Sequence, residues 1–353
     1  MKDSMIGHDG CKIVDYNRFF EWWYFDFDLQ NGRSVHVEWH APVFNSRGKS
    51  CVLVVRSHSP RKVCQVNEPC GVANSITKIY RYSRSLVTQK ETFCDIEFPG
   101  GTIKERDGDY FIDISEKDLF MNLHLQRKCP PVSVEEEILY HVNDTNESFY
   151  WSVPLPRAYV EGGINLDGNA IEVEGESYHD HNWGNLHISR YLNGWIWGRV
   201  FFKHFVLIFG VISSKDKGEE KILYLVNEAG NQIRTKSLFI QSRGAVKDER
   251  GGSEIPKELW ISFVDNARYT VHIESMANLM IEEFPLGSFN NHQVNSILAS
   301  SYYLLKLNYA PSIIKKLLGR GFYFRLLTRS ELFVDDQLTD RGEGKMEVFV
   351  FGT

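Results

Sequence analysis

Apolar and polar residues alternate over short runs through most of this chain, and a period of two predicts strands rather than helices. Within residues 21–29, Trp23, Phe25, Phe27 and Leu29 share one face, and Trp22, Tyr24, Asp26 and Asp28 share the other. Asn31-Gly32 supplies a hairpin turn. Residues 35–43 repeat the alternation, with Val35, Val37, Trp39 and Ala41 set against His36, Glu38 and His40. Further strands are predicted at 51–55, 93–98, 101–106, 110–115 and 119–127, with Asp107-Gly108 joining two of them. The chain then passes through Pro154 and Pro156 to a Gly162-Gly163 pair. An Asp167-Gly168-Asn169 turn follows, and a strand-like run at 170–177 leads into Tyr178-His179-Asp180-His181-Asn182-Trp183-Gly184. Strand signals resume at 195–202, 205–212, 221–227, 233–240, 258–263 and 269–274, and the chain closes with 330–334 and 345–351. Short strands at this spacing predict up-and-down barrels or sandwiches. A multi-strand block on each side of the Tyr178 motif predicts two similar β domains.

Residues 294–329 break the pattern. Their apolar positions recur at helical spacing, and Lys306, Lys315, Lys316, Arg320, Arg325 and Arg329 are basic with no acidic residue between them. A basic amphipathic helix suits an anionic membrane surface, or a cap over a barrel mouth with its lysines in water.

At 353 residues the chain has room for two ordinary cores, and a net charge of -6 argues against nucleic acid as a partner. The N-terminal residues lack the apolar centre of a signal peptide, and no run reaches the ~18 apolar residues of a membrane span. The expected location is the cytoplasm, with membrane association through the basic segment. All six cysteines (Cys11, Cys51, Cys64, Cys70, Cys94 and Cys129) precede residue 130, and none forms a C-x-x-C pair. They are expected to be free thiols.

The 178–184 stretch carries the densest chemistry. A carboxyl at Asp180, set among Tyr178, Trp183, Trp195 and Trp197, could lose enough solvation to stay protonated and act as a general acid. The competing reading is an Asp that caps a tight turn. Alternation puts His179 and His181 on the face opposite Tyr178, Asp180 and Asn182 unless a turn interrupts the strand there. His36, Glu38 and His40 project from one strand face, but same-face residues stand ~7 Å apart, wide for one metal ion. They are better read as a polar face or a cavity lining, and no metal is expected. Trp22 with Tyr24, or Trp195 with Trp197, could present aromatic faces to a long apolar ligand or to a carbocation.

Four pieces of sequence carry a resemblance: Glu21-Trp22-Trp23-Tyr24, the 178–184 motif, Trp195-Ile196-Trp197-Gly198, and Glu331 with Arg341-Gly342-Glu343-Gly344-Lys345-Met346-Glu347. Together they resemble the carotenoid 1,2-hydratase (hydroxyneurosporene synthase) and AttH lipocalin-like superfamily. The resemblance implies an all-β fold of two tandem lipocalin-like (calycin) antiparallel barrels. These would span residues 1–187 and 188–353, with the helical insertion at about 294–329 interrupting the second. It implies no cofactor, and Tyr178 and Asp180 as leading catalytic residues, with His181 orienting the acid or a water. Glu21, Trp22, Trp23, Tyr24, Trp183, Trp195 and Trp197 would contact substrate. The implied activity is hydration of a C=C bond in an isoprenoid: a carotenoid, a squalene-like hydrocarbon or a prenyl-lipid chain. A cyclase acting on an isoprenoid or polyketide-like molecule, and a non-catalytic carrier of hydrophobic ligands, are the alternatives on the same scaffold.

Overall fold

The computed structural model describes residues 9–12, 19–41, 50–58, 75–132, 137–166, 168–247, 254–285 and 320–351. They group into two compact units, one ending at His187 and the other beginning at Ile188. Each unit is built on a curled antiparallel sheet, the tandem half-barrel arrangement of a lipocalin-like fold.

The first unit holds β1 (Phe20–Leu29), β2 (Ser34–His40), β3 (Ser50–His58), β4 (Ser75–Ser83), β5 (Thr88–Gln89), β6 (Asp95–Phe98), β7 (Gly101–Arg106), β8 (Asp109–Glu116), β9 (Leu119–Arg127), β10 (Glu137–Val142), β11 (Glu147–Asn165) and β12 (Ala170–Gly184). Among the described residues these form one sheet in the order β4-β3-β2-β1-β12-β11-β9-β8-β7-β6-β5, with β10 beside β11. Neighbours in sequence are mostly neighbours in the sheet. The exception matters for the site, because β12 inserts between β1 and β11 and places the 178–184 motif at the centre of the sheet.

A single helical turn, α1 (Ile188–Tyr191), opens the second unit. It is followed by β13 (Leu192–Phe202), β14 (Val206–Ser214), β15 (Glu219–Val226), β16 (Gln232–Thr235), β17 (Phe239–Lys247), β18 (Glu254–Val264), β19 (Arg268–Pro285), β20 (Arg320–Val334) and β21 (Gln337–Phe351). Their order is β16-β15-β14-β13-β21-β20-β19-β18-β17.

Alternation sorts each sheet into a core face and a second face. In the first unit Trp23, Phe25, Phe27, Val35, Val37, Trp39, Leu53, Ile112, Leu123 and Leu125 pack into one cluster. In the second, Val200, Phe202, Leu207, Phe209, Ile261, Phe324 and Leu326 do the same. Each fully buried side chain of this size is worth about 1.5–3 kcal/mol in transfer free energy, so these faces fix the register of the strands.

Three findings bear on the sequence reading. First, the proline segment after Trp151 is part of a strand. It lies inside β11, where register shifts between Ser152 and Leu155 and between Leu155 and Ala158 make room for Pro154 and Pro156. Second, the 178–184 motif is not a turn. The strand continues through it to Gly184, paired residue by residue with β1. Third, residues 320–329 are not helical. They belong to β20, where Phe322, Phe324 and Leu326 face the core while Arg325 is buried on the other face against Glu347. The period of two there was masked by basic residues on the second face. The remainder of the expected insertion, 294–319, lies outside the described residues, as do Cys64 and Cys70. Cys11, Cys51, Cys94 and Cys129 are free thiols. Among the described residues no helix is long and apolar enough to cross a membrane.

Candidate active site

Because β12 stays extended, consecutive residues of the motif point to opposite faces of the sheet. Tyr178, Asp180 and Asn182 stand opposite Asp26, Tyr24 and Trp22 of β1, whereas His179, His181 and Trp183 stand opposite Phe25, Trp23 and Glu21. The residues predicted to form one site are thereby split. Asp180, Tyr178, Trp22 and Tyr24 share a face, while His181, Glu21, Trp23 and Trp183 lie on the other. Trp195 and Trp197 belong to β13 in the second unit, on the face away from its core cluster, with Trp195 stacked on Phe349 at 3.9 Å.

On the core face the two histidines close around a residue that sequence reasoning missed. Asp9 is buried, and its Oδ2 lies 2.9 Å from His179 Nε2 and accepts a hydrogen bond from Tyr110 Oη at 2.8 Å. Its Oδ1 lies 3.2 Å from His181 Nδ1. The other nitrogen of each ring is held too, His179 Nδ1 by the Tyr24 carbonyl at 3.0 Å and His181 Nε2 by Glu21 Oε1 at 2.9 Å. Glu21 Oε1 also accepts the Lys12 backbone N–H, and Trp23 Nε1 donates to the Asp9 carbonyl. Phe25 stacks on His179 at 3.9 Å and Trp23 on His181 at 4.2 Å. Gly10 permits this docking, since a Cβ there would meet the Glu91 carbonyl oxygen at 1.9 Å.

The charges follow from this packing. Burial would raise the Asp9 carboxyl, but the imidazoles of His179 and His181 outweigh it and hold the group well below the usual carboxylate range. For His181, burial acts to lower the imidazole and its bonds to Asp9 and Glu21 reverse this, so it is raised. Glu21 is raised by burial, with His181 opposing. Glu105 is pushed up to about 7 by burial and the nearby charge of Asp9, against Arg127. Three of the four histidine nitrogens are hydrogen-bonded, and the fourth, His181 Nδ1, faces Asp9 Oδ1 across an ion-pair distance of 3.2 Å without a hydrogen bond.

The opposite face is organised differently. Asp180, 5% exposed, accepts a hydrogen bond from Tyr178 Oη on Oδ2 at 2.9 Å and one from Asn182 Nδ2 on Oδ1 at 2.7 Å. Beside it on β1 lie the half-buried Trp22 and the buried Tyr24 and Asp26. Beyond them on β2, Glu38 gathers the polar stripe. Arg56 Nη1 donates to Glu38 Oε1 at 2.6 Å, His36 Nε2 lies 3.2 Å from the same oxygen, and His40 Nε2 lies 2.9 Å from Oε2. Burial would raise Glu38, but the Arg56 guanidinium and the bonds to His36 and His40 hold it well below the usual carboxylate range. Among the described residues, no group of three or more His, Cys, Asp or Glu side chains is arranged to hold a metal ion.

Local sequence carried no sign of Asp9, which lies 170 positions before His179, nor of Tyr110 as its partner or of Arg56 as the partner of Glu38. Strand alternation had, by contrast, already separated the two halves of the motif.

No family model matches the chain. Hydroxyneurosporene dehydrogenase from Chlorobaculum tepidum is 29% identical over 68 residues, which is 18% of this chain and 18% of that protein. Three crystal structures resemble the fold over nearly its whole length. The AttH-type protein of Nitrosomonas europaea matches at a TM-score of 0.62 and 14% identity, covering 98% of each chain. Kievitone hydratase from Nectria haematococca matches at 0.57 and 12%, covering 99% of this chain and 98% of that one. CghA in complex with Sch210972 matches at 0.64 and 8%, covering 99% and 97%. In fold, the chain is similar over nearly its whole length to the AttH-type protein, kievitone hydratase and CghA.

Proposed function

We propose that this protein is a cofactor-independent hydratase that adds water to a C=C bond of an isoprenoid chain, with Asp180 as the general acid. The observation that carries the reading is the asymmetric hold on the Asp180 carboxyl. Asn182 Nδ2 can only donate, so Oδ1 is committed as an acceptor. Tyr178 Oη can donate or accept, so Oδ2 is the oxygen able to carry a proton and regain one. In the reaction, the proton on Oδ2 passes to the less substituted alkene carbon and the π electrons form the new C–H bond. The neighbouring carbon becomes a tertiary cation. Trp22 and Tyr24, beside Asp180 on the same face, offer aromatic faces to that cation, an attraction worth about 0.5–2 kcal/mol. Water then adds, loses a proton, and leaves the tertiary alcohol. Tyr178 Oη relays a proton back to Oδ2.

The resemblance to kievitone hydratase supports a hydratase on this scaffold. Drawing the substrate from a membrane through the basic 294–329 segment is part of the proposal, although only 320–329 of it is described. Arg325 is buried against Glu347 and takes no part in such a contact. The test is incubation with squalene, lycopene and geranylgeraniol followed by mass spectrometry. A hydratase yields a product heavier by one water, a cyclase yields an isomer, and a carrier returns the ligand unchanged. Asp180→Asn is expected to bind and not convert. Conversion by Asp180→Asn at the wild-type rate would remove the carboxyl from the mechanism.

A further inference from the structure

Capture of a tertiary cation by water releases a proton, and a positioned base that takes it speeds that step. Resting on the hydratase reading above, we infer that His40, oriented by Glu38, is that base. The sheet register places the parts. Asp180, Tyr24 and Glu38 lie in one row across β12, β1 and β2, and Asn182, Trp22 and His40 form the adjacent row. All six side chains therefore point to the same face. Directly opposed antiparallel residues stand ~4.5–5.5 Å apart, so the acid strand and the base strand are ~10 Å apart, with the aromatic pair Trp22 and Tyr24 between them. An acid and a base that add water across a bond need such a gap, because the reacting carbons and the water must fit inside it.

The Glu38–His40 pair has the construction of an oriented imidazole base. Glu38 is ionised, and its Oε1 is committed to Arg56 and His36, so Oε2 is left to accept from His40 Nε2. A carboxylate that holds the Nε2–H fixes the tautomer and leaves the lone pair on Nδ1. Among the described residues His40 makes no other hydrogen bond. Its side chain is 22% exposed and tilts against Trp22 at 6.2 Å, so it sits at the rim of the aromatic floor. In the step assigned to it, a water oxygen bonds to the tertiary cation as one of its protons moves to His40 Nδ1. The imidazolium formed is stabilised by Glu38 and later releases the proton to solvent, while Asp180 is reprotonated through Tyr178. The net change is alkene plus water to alcohol. Glu38 is a positioning residue, acting through His40.

The test runs the wild type, His40→Gln, His40→Ala with and without free imidazole, Glu38→Gln, Glu38→Asp and Asp180→Asn on squalene, lycopene and geranylgeraniol in D2O. It scores alcohol formation and deuterium at the vinylic carbon of recovered alkene. Gln at 40 keeps a donor toward Glu38 but has no basic nitrogen, so the fold is preserved. His40→Gln is expected to lose alcohol formation about 10²–10⁴-fold while still exchanging deuterium, because cation formation survives and only its capture fails. Free imidazole should restore hydration in His40→Ala. Glu38→Gln should behave as a weaker His40→Gln, with Glu38→Asp partly rescued. Asp180→Asn should lose both signals. Undiminished alcohol from His40→Gln, or joint loss of alcohol and exchange, overturns this inference and leaves the acid intact. A wild type that neither hydrates nor exchanges any of the three compounds overturns the hydratase reading and this inference together.

Discussion

The two faces of β12 carry the same kinds of side chain and use them in opposite ways. On the core face His179 and His181 surround Asp9, with Glu21 and Tyr110 completing a buried set of polar contacts. On the other face Asp180 is held by Tyr178 and Asn182, both on its own strand, and looks across an aromatic floor toward Glu38 and His40. A cluster whose partners come from distant parts of the chain pins those parts together. The Asp180 bonds to Tyr178 and Asn182 instead tie neighbouring residues of one strand. The difference teaches that polar density alone does not mark a catalytic centre, because a dense polar cluster can serve to pin the chain.

The largest expected contrast comes from one carboxylate on each face. Asp180→Asn should lower turnover about 10²–10⁴-fold, the range of a general acid, with an unfolding midpoint in urea close to wild type. Asp9→Ala should do the reverse. Removing one partner of a buried ion pair leaves His179 and His181 uncompensated and costs about 3–5 kcal/mol. Urea unfolding measures that loss, and activity per folded molecule should be retained. Equal loss of turnover in both variants would erase the distinction between the faces.

That division was half legible in the sequence. The period of two around Trp22–Trp23 and around 178–184 already assigns every motif residue to a face, and it placed His181 away from Asp180. A compact motif is divided all the same, because an extended strand turns each successive side chain to the opposite face. Asp9 was not legible at all, because nothing near it in sequence signals a partner at 179. The docking of residues 9–12 becomes visible only when Cys11 N–H reaches the Lys90 carbonyl and Gly10 passes Glu91. The β20 strand was misread for a different reason. Its second face buries Arg325 against Glu347, so a basic residue sat where alternation alone expects solvent. The all-β class and most strands needed no tertiary information, since an apolar core face writes its period into the chain.

Changing pH should sharpen the comparison next. His181 is raised, so its contribution to stability is full below its ordinary value near 6.5 and is lost as pH rises through the folded value. Glu21 is raised as well and adds to the alkaline-side loss, beginning from the ordinary glutamate value upward. Asp9 is depressed, so its contribution is present above about pH 4 and is lost only as pH falls through the folded value. Stability from the core-face cluster should thus be highest around pH 4–5 and decline toward alkaline pH. Urea midpoints between pH 5 and 9 test this, and the decline should flatten in His181→Gln. A midpoint that rises over that range in the wild type would contradict the ionisation assigned to the cluster.

The smallest effects are the most discriminating, because they come from adjacent residues of one type. Trp23 is fully buried, stacks on His181 and donates its Nε1–H to the Asp9 carbonyl. Trp23→Phe keeps an aromatic ring but leaves that buried carbonyl without its donor, a cost of about 1–3 kcal/mol in stability. Turnover by the folded fraction should not change. Trp22 is half-buried, stacks on Phe20 at 5.5 Å and lies between Asn182 and His40. Trp22→Phe should move stability by less than about 1 kcal/mol, since its ring is only partly removed from water. It should reduce turnover several-fold, because phenyl is a weaker partner than indole for a developing cation. The pair of measurements, one by unfolding and one by rate, should cross. If Trp22→Phe instead destabilised the protein and spared the rate, the aromatic floor would be packing, and the cation would have to form somewhere other than between Asp180 and His40.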